Sequence, residues 1–207
     1  MPNLALWRTK LVTQACKRIT REVNIEYSSD EKLLIGLISD THVDSSKTRL
    51  PPQVKEVFKG ADLILHAGDI WIPSVLDELE SIAPVKAAWG DDDTKGDLGG
   101  DSRMMEGHLL ILDGVTLWLT HVRPRYAIIS PNGVWYHSTP GPQEPFEDPP
   151  DVAVFGHSHC STIEYHKGVL LVNPGSATFP NYVQKLGTIA LLTINSGEAE
   201  ARIVQLE

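Results

Sequence analysis

A chain of 207 residues, 42% apolar and 22% charged, has enough apolar side chain for one sizeable core and too much for a disordered segment. Its formal charge of −9 repels phosphate backbones and so excludes strong nucleic-acid binding, while a small phosphorylated substrate stays admissible if bound cations reverse the local sign. Two cysteines, Cys16 and Cys160, with no CxxC spacing exclude a disulfide framework and a structural zinc site and fit a reducing, cytoplasmic setting, and no apolar run approaches the roughly 18 residues of a membrane span.

In chain order, residues 1–32 read as an extension. Leu4, Trp7, Leu11, Ala15 and Ile19 recur every three or four positions and share one helical stripe. Arg8, Lys10, Lys17, Arg18 and Arg21 accompany them, and no acid precedes Glu22. Such a stripe suits a transit peptide, a membrane-surface helix or a dimerising helix. The plainer reading, a helix docked on the chain's own domain, is preferred, and a homodimer stays open. There is no apolar core of a secretory signal.

The domain spans 33–207. Residues 33–39, 62–67 and 84–89 read as strands, and 51–59 and 73–82 as short helices opened by proline, which a first helical turn tolerates. That alternation predicts parallel strands joined by crossover helices. The second half is strand-rich. Residues 108–113 and 115–120 flank an Asp113-Gly114 turn; 152–155, 162–166 and 169–172 come next; 188–194 and 198–204 form a closing hairpin. Two packed sheets with helices outside are expected. Residues 122–150 carry seven prolines and no strand or helix period, so they read as a cover beside the site.

The chemistry-bearing residues stand at the strand ends. Asp40-Thr41-His42, Gly68-Asp69, Gly90-Asp91, His121 and Gly156-His157-Ser158-His159 each lie just past a strand's carboxyl end, the edge where open α/β sheets bind ligands. In Asp-x-His and His-x-His, an extended backbone would point both side chains to one side. Three carboxylates and four imidazoles without a thiolate suit Mn, Fe or Zn. Seven ligands exceed one tetrahedral ion and suit two ions about 3.5–4 Å apart. His66 reads as a packed or supporting residue, His108, His137 and His166 as surface or loop histidines, and Cys160 as a packing residue. Asp92 and Asp93 read equally well as solvated turn residues. Arg123 and Arg125, just beyond His121, are even candidates for bidentate phosphate binding or for surface roles.

This order of motifs, with Ser39-Asp40-Thr41-His42, His66-Ala67-Gly68-Asp69 and Asn173-Pro174-Gly175-Ser176, resembles the calcineurin-like metallophosphoesterases, in particular their small YfcE-like phosphodiesterase branch. The retromer subunit of the same fold is another relative. The resemblance covers about residues 33 to 207 and implies a four-layer α/β/β/α sandwich. It implies that Asp40, His42 and His159 hold one metal, that Asp91, His121 and His157 hold a second, and that Asp69 bridges them. Asp69, Asp91 and His121 would serve catalysis directly. Asn173–Ser176 would lie near the site, as a rigid turn or a substrate contact. Two departures stand out. Asp91 replaces the family's Asn, as in the retromer subunit, and Asp92 stands where the strongest phosphatases carry a leaving-group His. The usual His-Gly-His is here His121-Val122-Arg123.

The expected function is hydrolysis of phosphate esters, diesters before monoesters, by a hydroxide held on two divalent ions. Manganese is the first candidate, with Fe, Ni or Zn as alternatives. The competing expectation is a scaffold of the same fold with weak or no turnover.

Overall fold

The computed structural model describes residues 20–25, 32–44, 49–127, 134–136, 149–183 and 185–207. Of the extension read as helical over residues 1–32, residues 20–25 form a strand and the stripe from Leu4 to Ile19 lies outside the described residues. Among the described residues, no helix is long and apolar enough to cross a membrane.

Two six-stranded sheets face each other. The first begins with β2 (Leu33–Ile38), β3 (Leu63–His66) and β4 (Val85–Ala88), all parallel. The crossovers are α1 (Pro52–Val57) and α2 (Pro73–Glu80), each with proline at its start. β5 (Met104–Met105) extends one side, with the short α3 (Lys95–Leu98) before it. β13 (Thr188–Asn195) pairs antiparallel with β2 and carries β14 (Glu198–Gln205) at the edge.

The second sheet runs β1 (Thr20–Ile25), β6 (His108–Leu112), β7 (Val115–Leu119), β10 (Val152–Val154), β12 (Val169–Asn173) and β11 (Thr162–His166). β1 lies in the segment read as an extension, yet it pairs parallel with β6, so this sheet reaches outside residues 33–207. The stretch 122–150 also differs from its patternless reading. β8 (Arg125–Ala127) and β9 (Val134–Tyr136) form a separate antiparallel pair inside it.

Alternation decides the layers. Ile35, Leu37, Leu63 and Leu65 from the first sheet meet Leu110, Leu117, Val152 and Val172 from the second in a common core. Each such side chain, fully buried, contributes roughly 1.5–3 kcal/mol. The opposite face of the first sheet packs Ile64, Val85 and Ala87 against Val54 of α1 and Val75, Leu76 and Leu79 of α2. Phe58, just past α1, lies flat on β2 because residue 36 is glycine; a Cβ there would sit 2.9 Å from the ring. The outer face of the second sheet buries Ala153, Phe155, Val169 and Leu171. The fold is thus the expected α/β/β/α sandwich, though the described helices all belong to the first sheet's outer layer. The carboxyl ends of β2 and β3 lie beside those of β7 and β10, where the His121 ring reaches Ala67 O and the His157 N–H reaches Asp40 Oδ1.

Candidate metal centre

The loops leaving those strands turn sharply, and the ligands themselves turn. Asp40, His42, Asp69, His157 and His159 have φ between 42° and 70°, the left-handed region. This corrects the extended-segment reading of Asp-x-His and His-x-His: left-handed residues flank Thr41 and Ser158. Non-glycine residues there cost on the order of 1–3 kcal/mol each and persist where function requires them. Gly68, at φ 94°, admits a closer approach still. A Cβ there would lie 2.6 Å from His121 Nδ1 and 2.9 Å from the Gly90 backbone.

The seven side chains gather into two adjoining groups, Asp40, His42, Asp69 and His159 in one and Asp91, His121 and His157 in the other. In the first, His42 Nε2 and His159 Nε2 are 3.1 Å apart, and His159 Nε2 lies 3.6 Å from Asp40 Oδ1. In the second, His157 Nδ1 is 2.9 Å from Asp91 Oδ2 and His121 Nε2 is 3.9 Å from Asp91 Oδ1. Asp69 joins them: its Oδ2 is 3.6 Å from His42 Nε2 and 3.4 Å from His121 Nε2. Its Oδ1 accepts the Asp92 N–H at 2.9 Å, which leaves Oδ2 facing both groups. The first group is buried, whereas Asp91 and His157 are about half exposed.

The hydrogen bonds set the tautomers. His121 Nδ1 is 2.7 Å from the Ala67 carbonyl, which can only accept, so Nδ1 carries a proton and Nε2 is the nitrogen left to bind a metal. That Nε2 is buried with no hydrogen-bond partner. His159 Nδ1 likewise donates to Phe179 O at 2.7 Å. Its Nε2 lone pair therefore faces the His42 ring and the Asp40 carboxylate. Burial, with His159 close by, lowers the His42 pKa to about 4, so this imidazole is neutral at pH 7. Burial also raises Asp69 to about 6 and pushes Asp40 up. Lone pairs and carboxylates converging in a dry site repel one another and fit divalent cations between them.

A buried scaffold holds the ligands. The Gly68 N–H donates to His66 Nδ1 at 3.2 Å, so His66 Nε2 carries the proton and donates to Thr41 Oγ1 at 3.1 Å. Thr41 in turn bonds Asp69 O at 3.4 Å. Asp93 is the residue that sequence reasoning left among the solvated turns. Its carboxylate accepts the N–H groups of Asp69 (3.0 Å), Ile70 (2.7 Å), Trp71 (2.9 Å) and Gly90 (2.8 Å). Asn173 donates to Gly156 O and Ser158 Oγ, and Ser176 Oγ donates to Asp40 O at 2.7 Å. The Asn-Pro-Gly-Ser segment is therefore a buckle between the first and last ligand loops. Trp71 and Phe179 set ring edges against His42.

Other candidates lie elsewhere. Arg123 pairs with Glu164 of β11, its guanidinium 5.7 Å from the centre of the Phe155 ring. Arg125 falls in β8, its side chain outside the described part. His108 is buried, contrary to the surface reading, because its Nε2 donates across the two sheets to Ala87 O at 2.9 Å. Cys160 is exposed rather than packed, its thiol 3.4 Å from Asn181 Oδ1. His166 is half-buried on β11, and His137 lies outside the described residues.

The profile of the calcineurin-like phosphoesterase superfamily domain matches residues 33–197, and the chain belongs to that superfamily. It is 32% identical over 176 residues to a probable metallophosphoesterase of Methanothermobacter thermautotrophicus, covering 84% of this chain and 92% of that one. A probable metallophosphoesterase of Bacillus subtilis, YsnB, is 30% identical over 166 residues, covering 80% and 87%. Among solved structures, Vps29 of Entamoeba histolytica complexed with zinc aligns with a TM-score of 0.57 at 20% identity, over 84% of this chain and 99% of that one. An archaeal phosphodiesterase aligns with a TM-score of 0.56 at 21% identity, over 83% and 100%. At those identities the structural likeness speaks for the fold alone.

Proposed function

We propose that the chain hydrolyses phosphodiesters with two divalent ions held by Asp40, His42, Asp69, Asp91, His121, His157 and His159. The observation that carries this is Asp69 Oδ2, within 3.6 Å of the His42 ring nitrogen and 3.4 Å of that of His121. Divalent ions held by these residues would contribute Lewis acidity, which would activate water near neutral pH and offset charge on phosphoryl oxygens. The chain's own part is to hold that geometry: Asp93 and His66 fix the Asp69 loop, and Asn173 and Ser176 tie the histidine loop to Asp40. Asp91 adds a negative charge to the exposed group, which favours cation binding there and weakens its pull on phosphoryl oxygens.

The diester preference rests on Asp92. It occupies the place of a leaving-group histidine, it is 63% exposed, and its Oδ2 lies 3.8 Å from His42 Nδ1. Esters with good leaving groups need least help from a proton donor. The archaeal phosphodiesterase with this fold points the same way. The second reading, a scaffold, draws on the likeness to Vps29 and on Asp91. Retention of Asp40, His42, Asp69, His121, His157 and His159, with Asp91 still gathered beside His121 and His157, favours hydrolysis.

Metal-stripped protein should be inert toward bis(p-nitrophenyl) phosphate and regain activity with Mn, Ni, Fe or Zn. Asp69→Asn should lose at least about 100-fold, because the shared carboxylate is gone. Equal rates for wild type and variant would leave the scaffold reading.

A further inference from the structure

Beside the centre is a second feature that the hydrolytic reading does not use: a pocket of about 270 Å³, lined by His159, Cys160, Ser161, Asn181, Lys185 and Thr188 among others. His159 belongs to both the pocket lining and the ligand cluster. His159 Nε2 faces Asp40 and His42, while the chain after its Nδ1 partner Phe179 continues as Pro180 and Asn181 into the pocket wall.

The wall is built. Asn181 sits at φ 49°, ψ 34° inside the 3₁₀ turn Pro180–Tyr182, a conformation that asparagine tolerates better than most residues. Gly175, from the Asn-Pro-Gly-Ser segment, has φ 78°, and a Cβ there would lie 2.2 Å from Thr188 Oγ1. The segment that buckles the ligand loops therefore also permits the close packing of the pocket floor.

The polar groups left over define a ligand. Thr188 Oγ1 donates to Pro174 O at 2.7 Å, so its lone pairs remain. Gln205, also in the lining, donates its amide to Gly187 O and Leu206 O, so its Oε1 remains. Asn181 takes the Cys160 thiol on Oδ1, so its NH₂ remains. Neutral donors and neutral acceptors thus stand together, with the cationic side chain of Lys185 among them. Among the described residues, no carboxylate lines the space to attract a cation and no Trp, Tyr or Phe lines it to stack an aromatic group. The volume is below that of drug-sized sites, which run from about 300 Å³.

We infer that this pocket binds the hydroxyl-rich alcohol arm, of glycerol or sugar type, of the phosphodiester whose phosphate sits at the centre. This rests on the phosphoesterase reading for its substrate but not for its measurement. The test uses two esters with the same p-nitrophenyl leaving group, one glyceryl and one propyl, added to the isotope-labelled full chain with zinc bound and again after chelation. Amide NMR shifts at Ser161, Asn181 and Thr188 are followed, together with p-nitrophenol release. After chelation the glyceryl ester should shift these amides and the propyl ester should not; with zinc bound, where either phosphate reaches the centre, the glyceryl ester should shift Asn181 and Thr188 more than the propyl ester does. Asn181→Gly, which keeps the left-handed turn and removes the amide, should weaken glyceryl-ester binding about threefold to tenfold, the worth of one hydrogen bond, and leave the propyl ester unaffected. Equal shifts from both esters, or none at these residues, overturn the assignment whether or not either ester is cleaved. Absence of p-nitrophenol release bears on hydrolysis alone.

Discussion

Four backbone N–H groups converge on the Asp93 carboxylate, two from the residues after Asp69, one from Asp69 itself and one from Gly90. Removing an acceptor from partly buried donors costs about 1–3 kcal/mol for each donor that water cannot reach. Asp93→Ala should therefore destabilise the protein by about 3 kcal/mol in urea unfolding and weaken metal binding at least tenfold. Asp93→Asn, which keeps one acceptor oxygen, should fall between. A variant as stable as wild type, with unchanged metal affinity, would deny this clamp. Asp69 makes a second prediction. Burial keeps its carboxyl protonated up to about pH 6 in the metal-free protein, and metal needs the ionised form. Below pH 6, each proton that metal must displace lowers affinity about tenfold per pH unit; above pH 6 the curve flattens. His42 adds no slope there, because it is neutral above about pH 4. Calorimetric titration with zinc at pH 5 and pH 7.5 should thus show tighter binding at the higher pH, with more proton release at the lower.

Strand ends were legible because chemistry recurs at one topological place. Asp40, Asp69, Asp91, His121 and His157 each come after a buried apolar run, and no other reading of those runs puts all five at one edge. The support behind them was not legible. A carboxylate that accepts backbone N–H groups, as Asp93 does, has no spacing that sets it apart from a solvated turn. His108 looks like any strand-initial histidine until β4 supplies Ala87 O. β1 takes its order from β6, far along the chain, and the β8–β9 pair is a local hairpin of two three-residue strands too short to show alternation. The left-handed backbone at the ligands escapes notice because Asp and His are not glycine. Gly68 does signal it, and its replacement tests the point. Gly68→Ala would force a Cβ to within 2.6 Å of His121 Nδ1 and 2.9 Å of Gly90 N. The expected result is a loss of about 2 kcal/mol or more in stability, from strain at positive φ plus displaced neighbours, and weaker binding at the Asp91–His121–His157 group. Unfolding midpoints and zinc titration read both effects; an unchanged midpoint would mean the loop relaxes freely.

At the scale of the molecule, the ligands divide by sheet. Asp40, His42, Asp69 and Asp91 leave β2, β3 and β4 of the first sheet, while His121, His157 and His159 leave β7 and β10 of the second. Each proposed ion would thus be held from both sheets at once: His159 completes a group otherwise supplied by the first sheet, and Asp91 a group otherwise supplied by the second. The sheets already meet through an apolar core whose cohesion carries no direction. Ions held this way would act as staples across that core, and whatever opened the interface would have to release them. Metal should therefore stabilise the whole sandwich and not just the loops at its edge. At a metal concentration 100 times the dissociation constant the gain is about 2.7 kcal/mol for one site. Hydrogen exchange should report it as a common slowing of amides in β2, β3, β7 and β10, while the exposed edge strand β14 slows only as far as it unfolds with the rest. Asp69→Asn should abolish the shared slowing. Protection confined to residues 40–42, 68–69 and 156–159 would place the ions in the loops alone and leave the two sheets to their apolar contact.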